Sequence, residues 1–243
     1  MKRRLATLGV VLFLVLTSGC ARKVSSAKPR ATANGSALVE SSGGKQFAPV
    51  GSPLPQPIVV QVNDEQGTAV PGALVEFRGP SGVTFDPESA LSDSSGQVTT
   101  NVALGEMAGR YRITVSTTDK LGKAVELKLE EVALGHQQIL GRQLNDHYCS
   151  RCHDPESTPE RVSNLDNLET KPHPFAEGDT LNKMSDADLT AIITHGGPAL
   201  NKSPLMPPYG YTLSKTEIQA LISYIRAVAD PPYPTPGIVY AKN

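Results

Sequence analysis

The 243-residue chain contains no tryptophan, only 5% aromatic residues, three cysteines and a formal net charge of −1. Near-neutral charge argues against nucleic acid as a partner. Three cysteines cannot furnish a four-thiolate zinc centre. The one long apolar run, "LATLGVVLFLVLTSG" (5–19), falls below the roughly 20 residues that a membrane-spanning helix needs. With so few aromatics, the 20 Pro and 21 Gly indicate turn-rich β structure in at least part of the chain. The length favours two domains over one.

Charge is unevenly placed. Seven of the 23 basic residues lie in the first 30 positions, so the remainder is acidic by about eight charges. Lys2-Arg3-Arg4, the short apolar run and then Cys20 have the layout of a signal peptide over residues 1–19. "LTSG" followed by Cys20 resembles the lipobox of bacterial lipoproteins, with Thr17 where that family usually has an aliphatic residue. The resemblance implies cleavage before Cys20, lipidation of its thiol and anchoring to a bacterial membrane on the extracytoplasmic side. Several acyl chains hold firmly where one is marginal. Ala21 in place of Asp would favour the outer membrane. An ordinary cleaved signal with a spare cysteine is the alternative. Residues 20–37 then read as the lipidated cysteine and a flexible, basic tether.

Between Ser52 and Leu134 apolar and polar residues alternate, interrupted by turn signals. "PIVVQVND" (57–64), "ALVEFRG" (73–79), "GRYRITVST" (109–117) and "AVELKLEEVAL" (124–134) are the clearest predicted strands. Val60, Val62, Leu74, Phe77, Tyr111, Ile113 and Val115 are expected inside, with Gln61, Glu76, Arg110, Arg112 and Thr114 in water. Short strands at this spacing suggest an antiparallel sandwich. The wording "PQPIVVQVNDEQGTAVPGALVEF … SDSSGQVTTNVALGEMAGRYRITVS", with "SSGGKQFAPVGSPLPQP" as its lead-in, resembles the bacterial immunoglobulin-like repeat of invasin and intimin over residues 38–134. That likeness implies a spacer or adhesion module. Asp64 and Asp93 read as solvated turn residues in preference to calcium ligands.

After Leu134 the period changes. Leu140, Leu144 and Tyr148 recur every four residues, a helical stripe. It leads into Cys149-Ser-Arg-Cys152-His153, for which three chemistries compete. A thioredoxin-type disulfide would need a βαβ setting with the cysteines opening a helix, and neither is present. A zinc site would need further paired ligands, which His147, His173 and His195 do not supply. Cys-x-x-Cys-His is also the signature of covalent haem attachment, with two thioethers and the next imidazole as iron ligand. Met206 lies 53 residues beyond His153 in "NKSPLMPPYGYTLS", a loop stiffened by Pro204, Pro207 and Pro208. It is the foremost sixth-ligand candidate, ahead of His195 and Met184. Two helices frame it. One starts at Ser185 and Asp188 and stops at Gly196-Gly197; the other opens with the capping box Ser214-x-x-Glu217 and buries Ile218, Leu221, Ile222 and Ile225.

"GRQLNDHYCSRCH … LMPPYGYTLSKTEIQALISYIRAVA" resembles a class I cytochrome c, the likeness running from about Gly135 to Asp230. It implies an all-α domain over 135–232, followed by a tail over 233–243. It implies one haem c on Cys149 and Cys152, iron ligation by His153 and Met206, and close passage of the first and last helices at Gly141 and Tyr224. The family's Gly-Pro after the haem motif is missing. Pro159, Pro172 and Pro174 are therefore the candidates for the carbonyl that supports the proximal imidazole. Tyr209, Tyr211 and Lys202 are expected near the haem edge. The fold class expected is thus multidomain, an all-β sandwich followed by an all-α cytochrome c fold. The function expected is single-electron transfer between extracytoplasmic redox proteins, without enzymatic turnover. A haem enzyme or gas sensor with an open sixth site, and an adhesion or assembly module, are the alternatives.

Overall fold

The computed structural model describes residues 29–155 and 162–234. The expected signal peptide, Cys20 and Pro159 lie outside them.

Among the described residues nine strands form two facing sheets. They are β1 (Ala37–Ser42), β2 (Phe47–Pro49), β3 (Ile58–Asn63), β4 (Leu74–Arg78), β5 (Thr84–Asp86), β6 (Ser89–Leu91), β7 (Gln97–Ala103), β8 (Gly109–Thr118) and β9 (Ala124–Leu134). The sheet orders are β1-β3-β7-β5 and β2-β9-β8-β4-β6. Every pairing is antiparallel except β2 with β9. Ile58, Val60, Val62, Val98 and Val102 on one inner face meet Val75, Phe77, Ile113, Val115 and Leu129 on the other. The period-2 rule corrects one expectation. Phe77 is inside, so Leu74, an odd number of residues away, cannot share its face; Val75 takes that place, fully buried.

Three turns use the same device. In Asp64-Glu-Gln-Gly67, Asp93-Ser-Ser-Gly96 and Asp119-Lys-Leu-Gly122 each Asp Oδ1 accepts backbone N–H groups two and four residues on. Each glycine has φ between 77° and 80°, a conformation that favours Gly. Asp64 and Asp93 are turn formers, occupied by the backbone they fold.

β9 ends at Leu134 and α1 (His136–Leu144) begins two residues later, capped by Gly135. A π-helical turn, Asn145–Cys149, joins α1 to α2 (Ser150–His153). Then follow α3 (Gly178–Leu181), α4 (Asp186–His195) and α5 (Lys215–Val228). The Ser214–Glu217 capping box forms, and Ser185 with Asp188 makes a second one. Leu213 and Ile218 are buried in one cluster, as a hydrophobic staple requires. α1 crosses α5 at Gly141, where a Cβ atom would stand 2.1 Å from the Ala220 carbonyl oxygen and 2.7 Å from Tyr224 Cβ. Among the described residues no helix is long and apolar enough to cross a membrane.

The two halves are not strung apart. Phe47 of β2 lies 6.5 Å, ring to ring, from Tyr224 of α5, and the Arg142 guanidinium of α1 caps the same Phe47 ring at 4.0 Å. Val132, Leu134, Tyr224 and Val228 form a buried cluster shared between the sandwich and α5. Arg112 is exposed, as expected, and Arg110 half-buried; from there they reach Asp230 and Val228 at the end of α5.

Candidate functional site

The π turn makes Cys149 the hinge between α1 and α2, and π turns recur at functional sites. Ser150, 1% exposed, donates its hydroxyl to the Asp146 carbonyl and fixes the start of α2. One turn later Cys152 and His153 follow on the same short helix. The two cysteines are free thiols, Cys149 buried and Cys152 half-buried. Burial, with the Cys152 charge adding to it, pushes the Cys149 thiol up to about 12, so it stays protonated at neutral pH.

Cys149, Cys152, His153 and Met206 all line one cavity of about 360 Å³, within the size range of small-molecule and cofactor sites. Its floor is apolar, made by Leu181, Leu189, Ile193, Leu221 and Ile225 from α3, α4 and α5. Met184 lines it as well. His195 is exposed and does not line it. Tyr209 and Lys202 lie at the cavity, whereas Tyr211 is wholly exposed and away from it. The Tyr209 hydroxyl donates to the Tyr148 carbonyl at 3.0 Å, tying the Met206 loop to the turn before Cys149.

His153 Nδ1 lies 2.8 Å from the carbonyl oxygen of His173. The acceptor is therefore His173, between Pro172 and Pro174, and neither of those prolines. An imidazole bonded to a carbonyl through Nδ1 must carry its proton there, which leaves the Nε2 lone pair free. Burial pushes the His153 pKa below its ordinary value; the His173 carbonyl pulls it up, and the nearby His173 ring lowers it again. The ring is neutral at pH 7, as a metal ligand must be. Phe175 covers it at 4.6 Å between centroids, 33° from parallel.

The Met206 loop is held over the end of α4. The Gly197 N–H donates to the Met206 carbonyl at 3.0 Å, and Tyr209 and Gly210 donate to Ile193 and Thr194. Gly197 allows this approach, since a Cβ there would meet the Ser203 carbonyl oxygen at 2.0 Å. The Gly196-Gly197 pair that stops α4 is thus also the seat of the methionine loop.

Haem fits this donor set: two unpaired thiols three apart, an imidazole with its proton turned away, a thioether, and an apolar cavity around them. Among the described residues no three Cys, His, Asp or Glu side chains gather as a metal cluster of the kind structural zinc uses.

Residues 137–225 match the family model of cytochrome C oxidase, cbb3-type, subunit III. The helical half is thus similar to a cytochrome c domain, and that similarity suggests haem-based electron transfer. No curated protein matches the chain. Among solved structures, the D0-D1 domain of intimin aligns at 17% identity and a TM-score of 0.32, over 42% of this chain and 49% of that one. The D00-D0 domain of intimin aligns at 15% and 0.32, over 46% and 51%. A β-glycosidase from Bacteroides vulgatus aligns at 19% and 0.33, over 42% and 14%. The chain spans about half the length of the intimin structures it matches.

Proposed function

We propose that the chain is an extracytoplasmic one-electron carrier, tethered by lipid on Cys20, with one haem attached covalently to Cys149 and Cys152. His153 and Met206 would hold its iron, and its partners are redox proteins. The observation that carries this reading is the convergence of all four side chains on one apolar cavity. When bound, the haem supplies one-electron cycling between ferric and ferrous iron, at a potential raised by a thioether ligand relative to two imidazoles.

The protein's part is positioning and exclusion of water. The π turn presents Cys149 and Cys152 to one side of the cavity, and the thiols would hold the group through thioether bonds. The His173 carbonyl keeps the His153 proton on Nδ1 and the ring's orientation fixed. Proline-stiffened backbone and the two glycines hold Met206 at the same cavity. Leu221 and Ile225 close the α5 side of the cavity against solvent. Anchoring confines the carrier to a surface and raises its effective concentration near membrane-bound partners.

The test is expression with a covalent haem-attachment system, followed by denaturation. One haem per chain is expected to remain with the polypeptide in denaturant, and to be lost when Cys149 and Cys152 are both replaced by Ala. Reduced wild-type protein should not bind carbon monoxide readily, whereas Met206→Ala should. Haem extracted by denaturant alone would overturn covalent attachment. Ready carbon monoxide binding by the wild type would overturn the Met206 assignment and favour a sensor.

The anchor has its own outcome. Cys20→Ser should move the chain from the detergent phase to the aqueous phase in a phase-partition assay, because lipidation then has no thiol. Unchanged partition would remove lipid from the account.

A further inference from the structure

The outer face of β8 grips the end of α5. Arg110 Nη2 donates to the Val228 carbonyl at 2.5 Å and Nη1 to Glu130 Oε2 at 2.6 Å. Arg112 Nη2 donates to Asp230 Oδ1 at 2.6 Å and its Nε to Glu130 Oε1 at 3.0 Å. Glu130, directly opposite Arg112 across the β8–β9 ladder, therefore clamps both guanidiniums in a fixed pose. Burial works against its charge, but Arg112 and Arg110 together hold its carboxyl below the usual range.

What these arginines hold is next to the proximal histidine. The Asp230 N–H donates to the Ala176 carbonyl at 2.8 Å and the Gly178 N–H to the Asp230 carbonyl at 2.9 Å, a short parallel bridge. Gly178 permits it, because a Cβ there would lie 2.3 Å from the Pro231 carbonyl oxygen. The segment so pinned, 173–178, supplies both supports of His153: the His173 carbonyl and the Phe175 ring. Phe175 also packs against the cluster that contains Val132 and Leu134 of β9. One chain of contacts runs from the sandwich through Asp230 to the imidazole. Only Gly135 separates β9 from α1, so the covalent junction gives little freedom to escape it.

We propose that the sandwich is a working part of the haem site, with Arg110 and Arg112 as positioning residues that hold the 173–178 segment, and through it His153, via Val228 and Asp230. This rests on the electron-carrier reading above. It goes beyond that reading by giving the sandwich a task other than spacing.

The full-length, haem-loaded chain serves for the test, with Arg112→Ala, Arg112→Lys and, as the gentler cut of the same ion pair, Asp230→Asn. Hydrogen exchange at His153 Nδ1–H, followed by nuclear magnetic resonance, should be about tenfold faster in Arg112→Ala and Asp230→Asn. Their midpoint potentials should move away from the wild-type value, because the imidazole's hydrogen bond tunes the iron. Arg112→Lys should recover most of both. Lys128→Ala, which breaks the Lys128–Glu126 pair on the same sheet, should change neither. Haem-loaded variants with wild-type exchange and potential would overturn the inference and leave the carrier intact. A wild-type chain that takes up no haem would instead overturn the carrier reading.

Discussion

Gly141→Ala should destabilise the helical half by about 3 kcal/mol, although helix propensity alone favours the substitution by up to about 1 kcal/mol. The two effects have opposite sign, so the experiment separates them. At Gly141 the added Cβ would stand 2.1 Å from the Ala220 carbonyl oxygen, 2.7 Å from the Ala220 carbonyl carbon and 2.7 Å from Tyr224 Cβ. Two of those atoms are backbone of α5, whose Ala220, Leu221 and Ile225 are at most 2% exposed. No rotamer change relieves such an overlap; the helices must move apart. Separation would open the cavity on its Leu221 and Ile225 side and loosen the Phe47–Tyr224 contact that joins α5 to the sandwich. A loss of this size is a large share of the 5–15 kcal/mol that stabilises an ordinary domain. Urea unfolding followed by circular dichroism at helix wavelengths reads it. A variant as stable as the wild type, or more so, would show that the crossing is looser than these distances.

This crossing was legible only through the resemblance to class I cytochromes c, which implies close passage of the first and last helices at Gly141 and Tyr224. The Ser214–Glu217 capping box was legible because Ser and Glu three apart carry that chemistry in their side chains. Strand periodicity located most of β3, β4, β8 and β9 but slipped by one residue at Leu74, where "ALV" offers three apolar residues in a row. The haem-attachment motif and Met206 were visible as residue types, and the cavity brings them together. What stayed hidden was carried by backbone or by long-range charge. The His173 carbonyl has no side-chain signature, whereas the prolines on either side of it do. Arg110 and Arg112 alternate with apolar residues as any solvent-facing arginines would. Only the fold shows Val228 and Asp230, 118 residues away, at their tips.

Glu131 is the other residue that the sequence disguised. It shares the inward parity of Leu129 and Ala133 in β9 and is 0% exposed. Its Oε2 accepts the Gln46 N–H at 2.6 Å, while Oε1 has no hydrogen-bond partner among the described residues. Burial drives its pKa up from 4.5 to about 7, opposed by the Gln46 and Lys45 backbone amides and assisted by the charge of Glu40. The bond to Gln46 orders the strand entry at Phe47, so this buried acid sits behind the docking contact of the two halves.

The sign of the pH effect follows from proton counts. Below about pH 4.5 both folded and unfolded chains hold the proton. Between about 4.5 and 7 the folded chain keeps it and the unfolded chain has released it, so stability falls as pH rises through this window. The full loss, reached above about pH 7, is on the order of 3 kcal/mol. Glu131→Gln cannot ionise and retains an acceptor for Gln46. It should match the wild type within about 1 kcal/mol at pH 4.5 and exceed it by roughly 2 kcal/mol at pH 8, where the wild type folds around a buried charge. Urea titrations of both proteins at the two pH values check this, and their difference cancels every other titrating group. A difference that does not grow with pH would mean that water or a cation reaches Oε1. The sandwich would then carry its buried carboxylate as a hydrated ion, with no penalty to relieve.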